Sequence, residues 1–404
     1  MSISQEPKNS RTGRLSNLRA HDLVARARAA ATVAVEHAAA VDAESRFPSE
    51  AFAEIRKQRL LGIQVPQALE GEGATLAEIA DVCFTLGQAC GATGLIYAMH
   101  QIKIACIARH AQGQIALEGV LRRIAGEQLL MASSTTEGQA GGNVRASEAP
   151  VVREGDQVTL ERKATVISYA IEADGIVTTA RRASDAAASD QVLLVLLKSD
   201  YTLERLQQWD TLGMRGTHSE GFTLRARAAA DQILPEPYEK IHAQTMVPHA
   251  HVLWGSVWAG IAAAATAKAQ MFTRHAMRNA NGQLPPGAAH CTQALSSLRT
   301  LRGVLAAAMR SYESAQGDDK ALASLEFQSM ITLTKVQASE LAAATVLSAL
   351  RACGLAGYRN DSEFSIGRHL RDILSAPLMI NNDRILANQA MTSLMAPLPT
   401  SIGG

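Results

Sequence analysis

Residues 321–354, ALASLEFQSMITLTKVQASELAAATVLSALRACG, limit the fold more than any other stretch. They read as one long helix, dense in Ala and Leu and free of proline. Two more segments share this character: VLWGSVWAGIAAAATAKAQMFTRHAMR (252–278) and TQALSSLRTLRGVLAAAMRSYESAQ (292–316). Long amphipathic helices bury their apolar faces against one another. Residues 240–404 are therefore expected to form a four-helix bundle. Small residues let the axes approach closely. Alanine faces left over suit a second copy, so a homodimer or homotetramer is expected.

The rest of the chain divides at two changes of pattern. Residues 1–20 are polar and are read as a disordered tail. Residues 21–130 carry helical periodicity, as in TLAEIADVCFTLGQAC and GLIYAMHQIKIACIARHA. In PSEAFAEIRKQRLLG, Ser49 is the expected N-cap and Gly62 the expected C-cap. Across 131–239, short β-branched runs such as QVTLERKATVIS and DQVLLVLLK lie between Gly, Asp and Ser, the pattern of a small β-barrel-like domain. The fold class is α+β, with an N-terminal helical domain, a middle β domain and a C-terminal bundle.

Composition narrows the function classes. Hydrophobic residues make up 47% and aromatics only 4%, which favours helices over a β-sandwich. Lys and Arg number 39 against 38 Asp and Glu, so there is no basic field for nucleic acid. No membrane span is expected, since the longest apolar candidate, GIAAAATAKAQMF, is broken by Lys268. The N-terminus has no signal-peptide apolar core. Cys83, Cys90, Cys106, Cys291 and Cys353 are scattered, with neither metal spacing nor an even count. They read as reduced, buried thiols of a cytoplasmic protein, and no metal is expected.

Four motifs stand out. STTEGQAGGNV (134–144) lies where helices give way to strands, and such Gly-rich loops can wrap a phosphate or a ring edge with backbone N–H groups. It is neither a P-loop nor a dinucleotide fingerprint, and alone it reads as an ordinary turn. DTLGMRGTHSEGF (210–222) is longer and more specific. CGLAGY (353–358) and the dipeptide Arg371-Asp372 follow near the end. With the order of the blocks, these stretches resemble the acyl-CoA dehydrogenase superfamily of flavoproteins, over about residues 20–395. The family's T-E-P-G-A-G-S-D loop is matched in part by Thr136 to Asn143, and its L-G-M-R-G-T-x-S string by Leu212 to Ser219. Its G-G-x-G-Y is matched by Gly354, Gly357 and Tyr358, and its Arg-Asp pair by Arg371-Asp372.

The resemblance implies FAD held between the β domain and the bundle, with a neighbouring subunit completing the adenine side. It places Thr135, Thr136 and Gly141 at the isoalloxazine edge. Val166 stands where the family often has a Trp against the ring, and Ser168 where a Thr hydroxyl reaches it. Arg278 resembles an arginine that meets the pyrophosphate across the subunit interface, although Gly282 sits one residue farther away than usual. As a bare sequence feature, Arg278 is equally a solvated helix-end cation. Gly354 and Gly357 belong to a cofactor-side motif, and Asn382 replaces a Thr that bonds the cofactor. The implied substrate is an acyl-CoA or acyl-carrier thioester, and the implied reaction is α,β-dehydrogenation. The electron acceptor, an electron-transfer flavoprotein or O2, is left open.

The chain departs from the family at the base. Counting from Asp372, the usual Glu falls on Ile380, and Asn381-Asn382 replace Gly-Thr. A second site used by some members falls near Trp254. No Asp or Glu lies between Glu239 and Glu313, and Asp383 is the last acidic residue. Three readings follow. In the first, preferred on the motif strings, the chain is a dehydrogenase with a non-standard base, for which Asp383 is nearest in sequence. In the second it is a monooxygenase that uses reduced flavin and O2, with His100, His249 or His251 beside the flavin. In the third it binds flavin or thioester without turnover. Each of these residues has a plainer reading: a helix-end Asp–Arg pair, or a buried histidine with a local partner.

Overall fold

Five helices open the chain: α1 (Asn9–Ala43), α2 (Ser49–Lys57), α3 (Leu76–Ala89), α4 (Gly91–His110) and α5 (Ile115–Glu127). The computed structural model describes residues 9–137 and 146–395, with residues 9–21 as backbone alone. α1 starts inside the segment read as a tail, at Asn9, and runs through Gly13 without a break. The caps also differ from expectation. Pro48 occupies the N-cap of α2 and Ser49 its first turn, while the helix stops at Gln58, well before Gly62. α3 does carry a reciprocal cap. Glu78 N–H donates to Thr75 Oγ1 at 3.3 Å, and Thr75 N–H to the Glu78 carboxylate at 2.8 Å.

Seven strands follow: β1 (Met131–Ser134), β2 (Val152–Glu154), β3 (Gln157–Ile167), β4 (Gly175–Arg181), β5 (Gln191–Leu197), β6 (Tyr201–Gln207) and β7 (Glu220–Ala229). They form two sheets rather than one closed barrel. One has the order β1-β4-β5, with β1 and β4 parallel; the other has the antiparallel order β2-β3-β7-β6. β3 alternates inward and outward along its length until an irregularity between Ala164 and Ile167 leaves two successive residues outward. A bulge of this kind re-aims a side chain. Here it turns Val166 away from the sheet core, 37% exposed.

The C-terminal part contains α6 (Tyr238–Ile241), α7 (Val247–Asn279), α8 (Ala288–Ala315), α9 (Asp319–Ala323), α10 (Leu325–Tyr358), α11 (Gly367–Ile373), α12 (Ser375–Leu378) and α13 (Asn382–Met395). α7, α8 and α10 pack on one another, and α13 lies against α10. Between α6 and α7 the backbone widens into a π turn over His242–Met246. Pro248 explains it. Its ring would collide with the carbonyl four residues earlier in a regular helix, and it has no N–H to give.

The N-terminal helices and the bundle meet backbone to backbone. A Cβ on Gly87 would sit 2.5 Å from the Val257 carbonyl oxygen, and one on Gly260 2.3 Å from that of Phe84. α3 and α7 therefore touch through a seam that glycine alone permits. By length and apolar composition, two helical stretches, Tyr238–Asn279 and Leu325–Tyr358, are long enough to cross a membrane, contrary to the sequence reading. The first is 83% buried in its most apolar window, which marks a core helix, and the second 44%. All five cysteines are free and buried.

Candidate active site

A cavity of about 570 Å³ lies where the three blocks meet. α4 gives one wall through Leu95, Met99, Ile102 and Lys103, spaced to share a helix face. The β domain gives Ser133 from β1, Thr135 and Thr136 just after it, and Val166 and Ser168 around the bulge. The bundle gives Tyr238 from α6, His242 and Met246 from the widened turn, then Ala250, His251 and Trp254 from the next turns of α7. The outer wall is the segment Leu374–Ile380, with Leu378 77% exposed.

The rim is a clamp between two motifs. A Cβ on Gly213 would lie 2.1 Å from the Arg371 carbonyl oxygen, so only glycine allows this approach. Met214 N–H donates to Asp372 Oδ1 at 2.7 Å. The Arg371 guanidinium pairs with the Asp42 carboxylate and donates to the Leu212 carbonyl at 3.0 Å. Asp372 is fully buried, and burial pushes its carboxyl up to about 6. The strings LGMRG and Arg-Asp are thus two halves of one joint that also reaches the end of α1.

The polar groups facing the cavity are few. Thr217 Oγ1 donates to the Met214 carbonyl at 2.9 Å and lies 2.7 Å from Ser219 Oγ, which lies 2.7 Å from Ser168 Oγ. With Thr217 committed to that carbonyl, Ser219 donates to Thr217 and Ser168 to Ser219. Ser168 then offers lone pairs to the cavity. His251 Nδ1 sits 2.9 Å from the Ile331 carbonyl, so the neutral ring carries its proton there and keeps the Nε2 lone pair. Burial pushes this histidine down to about 4. Trp254 Nε1 is buried without a partner. Among the described residues, Lys103 Nζ and Tyr238 Oη each hydrogen-bond only the Met246 sulfur, at 3.5 and 3.4 Å.

Among the described residues, no Asp or Glu lines the cavity. Ile380 does line it, with φ 57°, and Asn381 follows at φ 55°. A β-branched residue in the left-handed region is a strained position.

The family model "Acyl-CoA dehydrogenase, N-terminal domain" matches residues 19–122. Probable acyl-CoA dehydrogenase YngJ of Bacillus subtilis is 24% identical over 50% of this chain and 53% of its own, so this chain spans about half the length of that relative. Probable acyl-CoA dehydrogenase fadE25 of Mycobacterium leprae is 23% identical over 83% of this chain and 85% of its own. The fold agrees. Butyryl-CoA dehydrogenase from Megasphaera elsdenii superposes with TM-score 0.77 at 16% identity, over 98% of this chain and 100% of its own. Residues 19–122 thus resemble the family's N-terminal domain, and the chain has the acyl-CoA dehydrogenase fold. FMN-bound TdsC from Paenibacillus sp. A11-2, a dibenzothiophene monooxygenase, superposes equally well, with TM-score 0.80 at 16% identity over 94% of this chain and 98% of its own.

The cavity of this chain, which has the acyl-CoA dehydrogenase fold, brings together some of the expected residues and leaves others out. Thr135, Thr136, Val166 and Ser168 line it. Gly141 falls outside the described residues. Arg278 is exposed in the last turn of α7, about 36 Å of helix beyond Trp254. Gly354 breaks α10 with φ 55°, and Gly357 is buried against Cys353; neither lines the cavity.

Four expectations need correction. Asn382 faces α10 rather than the cavity. It accepts from Lys335 Nζ at 2.7 Å, donates to Glu340 Oε1 at 2.7 Å and meets Ser339 Oγ at 3.0 Å. Asp383 is exposed and does not line the cavity, because it sits in the first turn of α13. Asn381 Oδ1 caps that helix by accepting from Asp383 N–H at 3.0 Å, and an acid belongs at such an end. His100 is fully buried with both nitrogens used. Nε2 meets the Leu61 carbonyl at 2.8 Å, and Nδ1 accepts from Met131 N–H at 3.0 Å. Burial pushes it down to about 4. His249 is likewise held inside the bundle, 2.9 Å from the Thr245 carbonyl.

Sequence reading missed Lys103, Tyr238, Trp209 and the Thr217–Ser219 chain. For Lys103 a signal existed: it stands alone between Ile102 and Ile104 in an apolar run.

Proposed function

We propose that the chain is a flavin-dependent monooxygenase of the superfamily, using reduced flavin and O2 on a small, mainly apolar substrate. The observation that carries this is the missing base. Thioester dehydrogenation needs a carboxylate at the α-carbon, and a positioned base contributes about 10²- to 10⁴-fold. Ile380 holds the usual position, and of the segments outside the described residues, 138–145 and 396–404 contain no Asp or Glu and 1–8 contains Glu6 alone. Oxygen transfer has no such requirement.

The residues present suit a flavin. Val166 and Leu378 offer open apolar faces, Ser168 offers acceptor lone pairs, and Trp254 Nε1 is an orphaned donor. Bound there, the flavin would supply the electrons that activate O2. Ser168 would accept from a ring N–H, His251 Nε2 would take or return a proton, and the apolar α4 face would exclude water. FAD is the expected flavin, with Arg278 of the partner subunit at its pyrophosphate in a homo-oligomer. FMN is the alternative.

The test supplies purified protein with flavin, NADH and a flavin reductase, and measures O2 uptake and 18O incorporation into candidate aromatic or heteroaromatic substrates. Substrate-dependent incorporation is expected, with no flavin bleaching when acyl-CoAs are mixed anaerobically. The names of the curated relatives support a second reading, an acyl-CoA dehydrogenase with its base elsewhere. Bleaching of the wild-type flavin by any acyl-CoA would favour it and reject the monooxygenase. Ile380→Glu, which restores a carboxylate at the wall, is expected to permit bleaching only if the cavity accepts a thioester.

A further inference from the structure

We propose that Lys103 and Tyr238 form an anchor for one anionic oxygen, so that the cavity selects small apolar acids, carboxylates or phenolates, over their neutral counterparts. The proposal rests on the cavity being the substrate site. It adds what the proposed reaction does not require, a fixed charge preference.

Lys103 is 3% exposed and Tyr238 2% exposed, and both line the cavity. Their polar tips converge on one atom, the Met246 sulfur. A thioether is a weak acceptor, so neither donor has a partner of ordinary strength. Lys103 also lacks a counter-charge among the described residues: none of their carboxylates lines the cavity, and burial pushes its ammonium down to about 8. A buried ammonium without a counter-charge is costly and is rarely left so. Its neighbours on α4, Leu95, Met99 and Ile102, give it no help. They describe instead the body of the ligand: apolar, with a single polar end. An anionic oxygen set between Nζ and Oη would satisfy both donors and supply the missing charge.

The position is not explained by stability. The other buried lysine, Lys335, has an amide oxygen at 2.7 Å and tethers a turn. Lys103 tethers nothing. A Met would fill the same volume without the charge.

The test is calorimetric titration of the full flavin-loaded chain at pH 7 with two matched pairs, benzoate against benzamide and hexanoate against hexanamide. Wild type is expected to prefer each acid by about tenfold or more, the size of one charge-assisted bond. Lys103→Met is expected to erase that preference while still binding the amides, with a Tm equal to or above that of wild type. Tyr238→Phe is expected to weaken acid binding alone. Equal affinities within the pairs, no binding of either member, or a preference that survives Lys103→Met would overturn the proposal. The readout needs no turnover. If the acid preference holds while reduced flavin and O2 give no product, the anchor stands and the monooxygenase reading falls.

Discussion

Gly213 shows how a single missing side chain can hold a site together. The backbone of Arg371-Asp372 lies where its Cβ would be, and the Asp372 carboxylate bonds the next N–H. Gly213→Ala must push the two segments apart, at about 1–3 kcal/mol for overpacking. Asp372→Ala strands the buried Met214 N–H, at about 1–3 kcal/mol. The two act on one joint, so the double variant is expected to cost clearly less than the sum in chemical denaturation. Additive losses would show that the joint is not a unit. Both halves were legible as strings, LGMRG and Arg-Asp, but their contact was not, because it spans nearly 160 residues of chain. The amide at 382 was misread for a related reason. A tether to Lys335 looks the same in sequence as a cofactor ligand, and only the direction of the side chain separates them.

At the scale of elements, the sequence located the helices and strands well and their ends poorly. α2 takes Pro48 rather than Ser49 as its N-cap, with no side-chain cap bond, so the hydroxyl that marked the helix start in the sequence lies one residue inside it. The turn that carries His218 connects the β domain to the end of α1. Its Nδ1 lies 2.9 Å from Glu172 Oε1 and its Nε2 2.8 Å from the Ser45 carbonyl. Both partners accept, so only the imidazolium satisfies both. The Glu172 bond raises the folded pKa above that of the unfolded chain, about 6.5. A raised histidine pKa gives stability that is fully present below the unfolded value and is lost as pH rises through the folded one. His218→Ala is therefore expected to cost about 1–2 kcal/mol at pH 5.5 and markedly less at pH 9. A pH-independent difference in Tm between variant and wild type would refute this.

For the whole molecule, Gly87 and Gly260 join α3 to α7, and a Cβ on Gly94 of α4 would lie 2.9 Å from Gly87 N, so the α4 and α7 walls of the cavity are tied together through α3. The opposite wall, Leu374–Ile380, is short, partly exposed and strained at Ile380. Hydrogen exchange should separate the two sides: amides of 375–381 are expected to exchange well before those of the buried middle of α7. Equal protection would mean that the outer wall is as firm as the inner one. The sequence announced the alanines of the bundle but not this asymmetry, because Gly87 and Gly260 acquire meaning only once they face each other. The consequence is kinetic. A ligand enclosed by one immovable wall and one that yields leaves at a rate set by the loosening of the yielding side. Its residence time would then follow the local stability of a few C-terminal residues, steeply with temperature, and would be nearly blind to how well the ligand fits the wall that does not move.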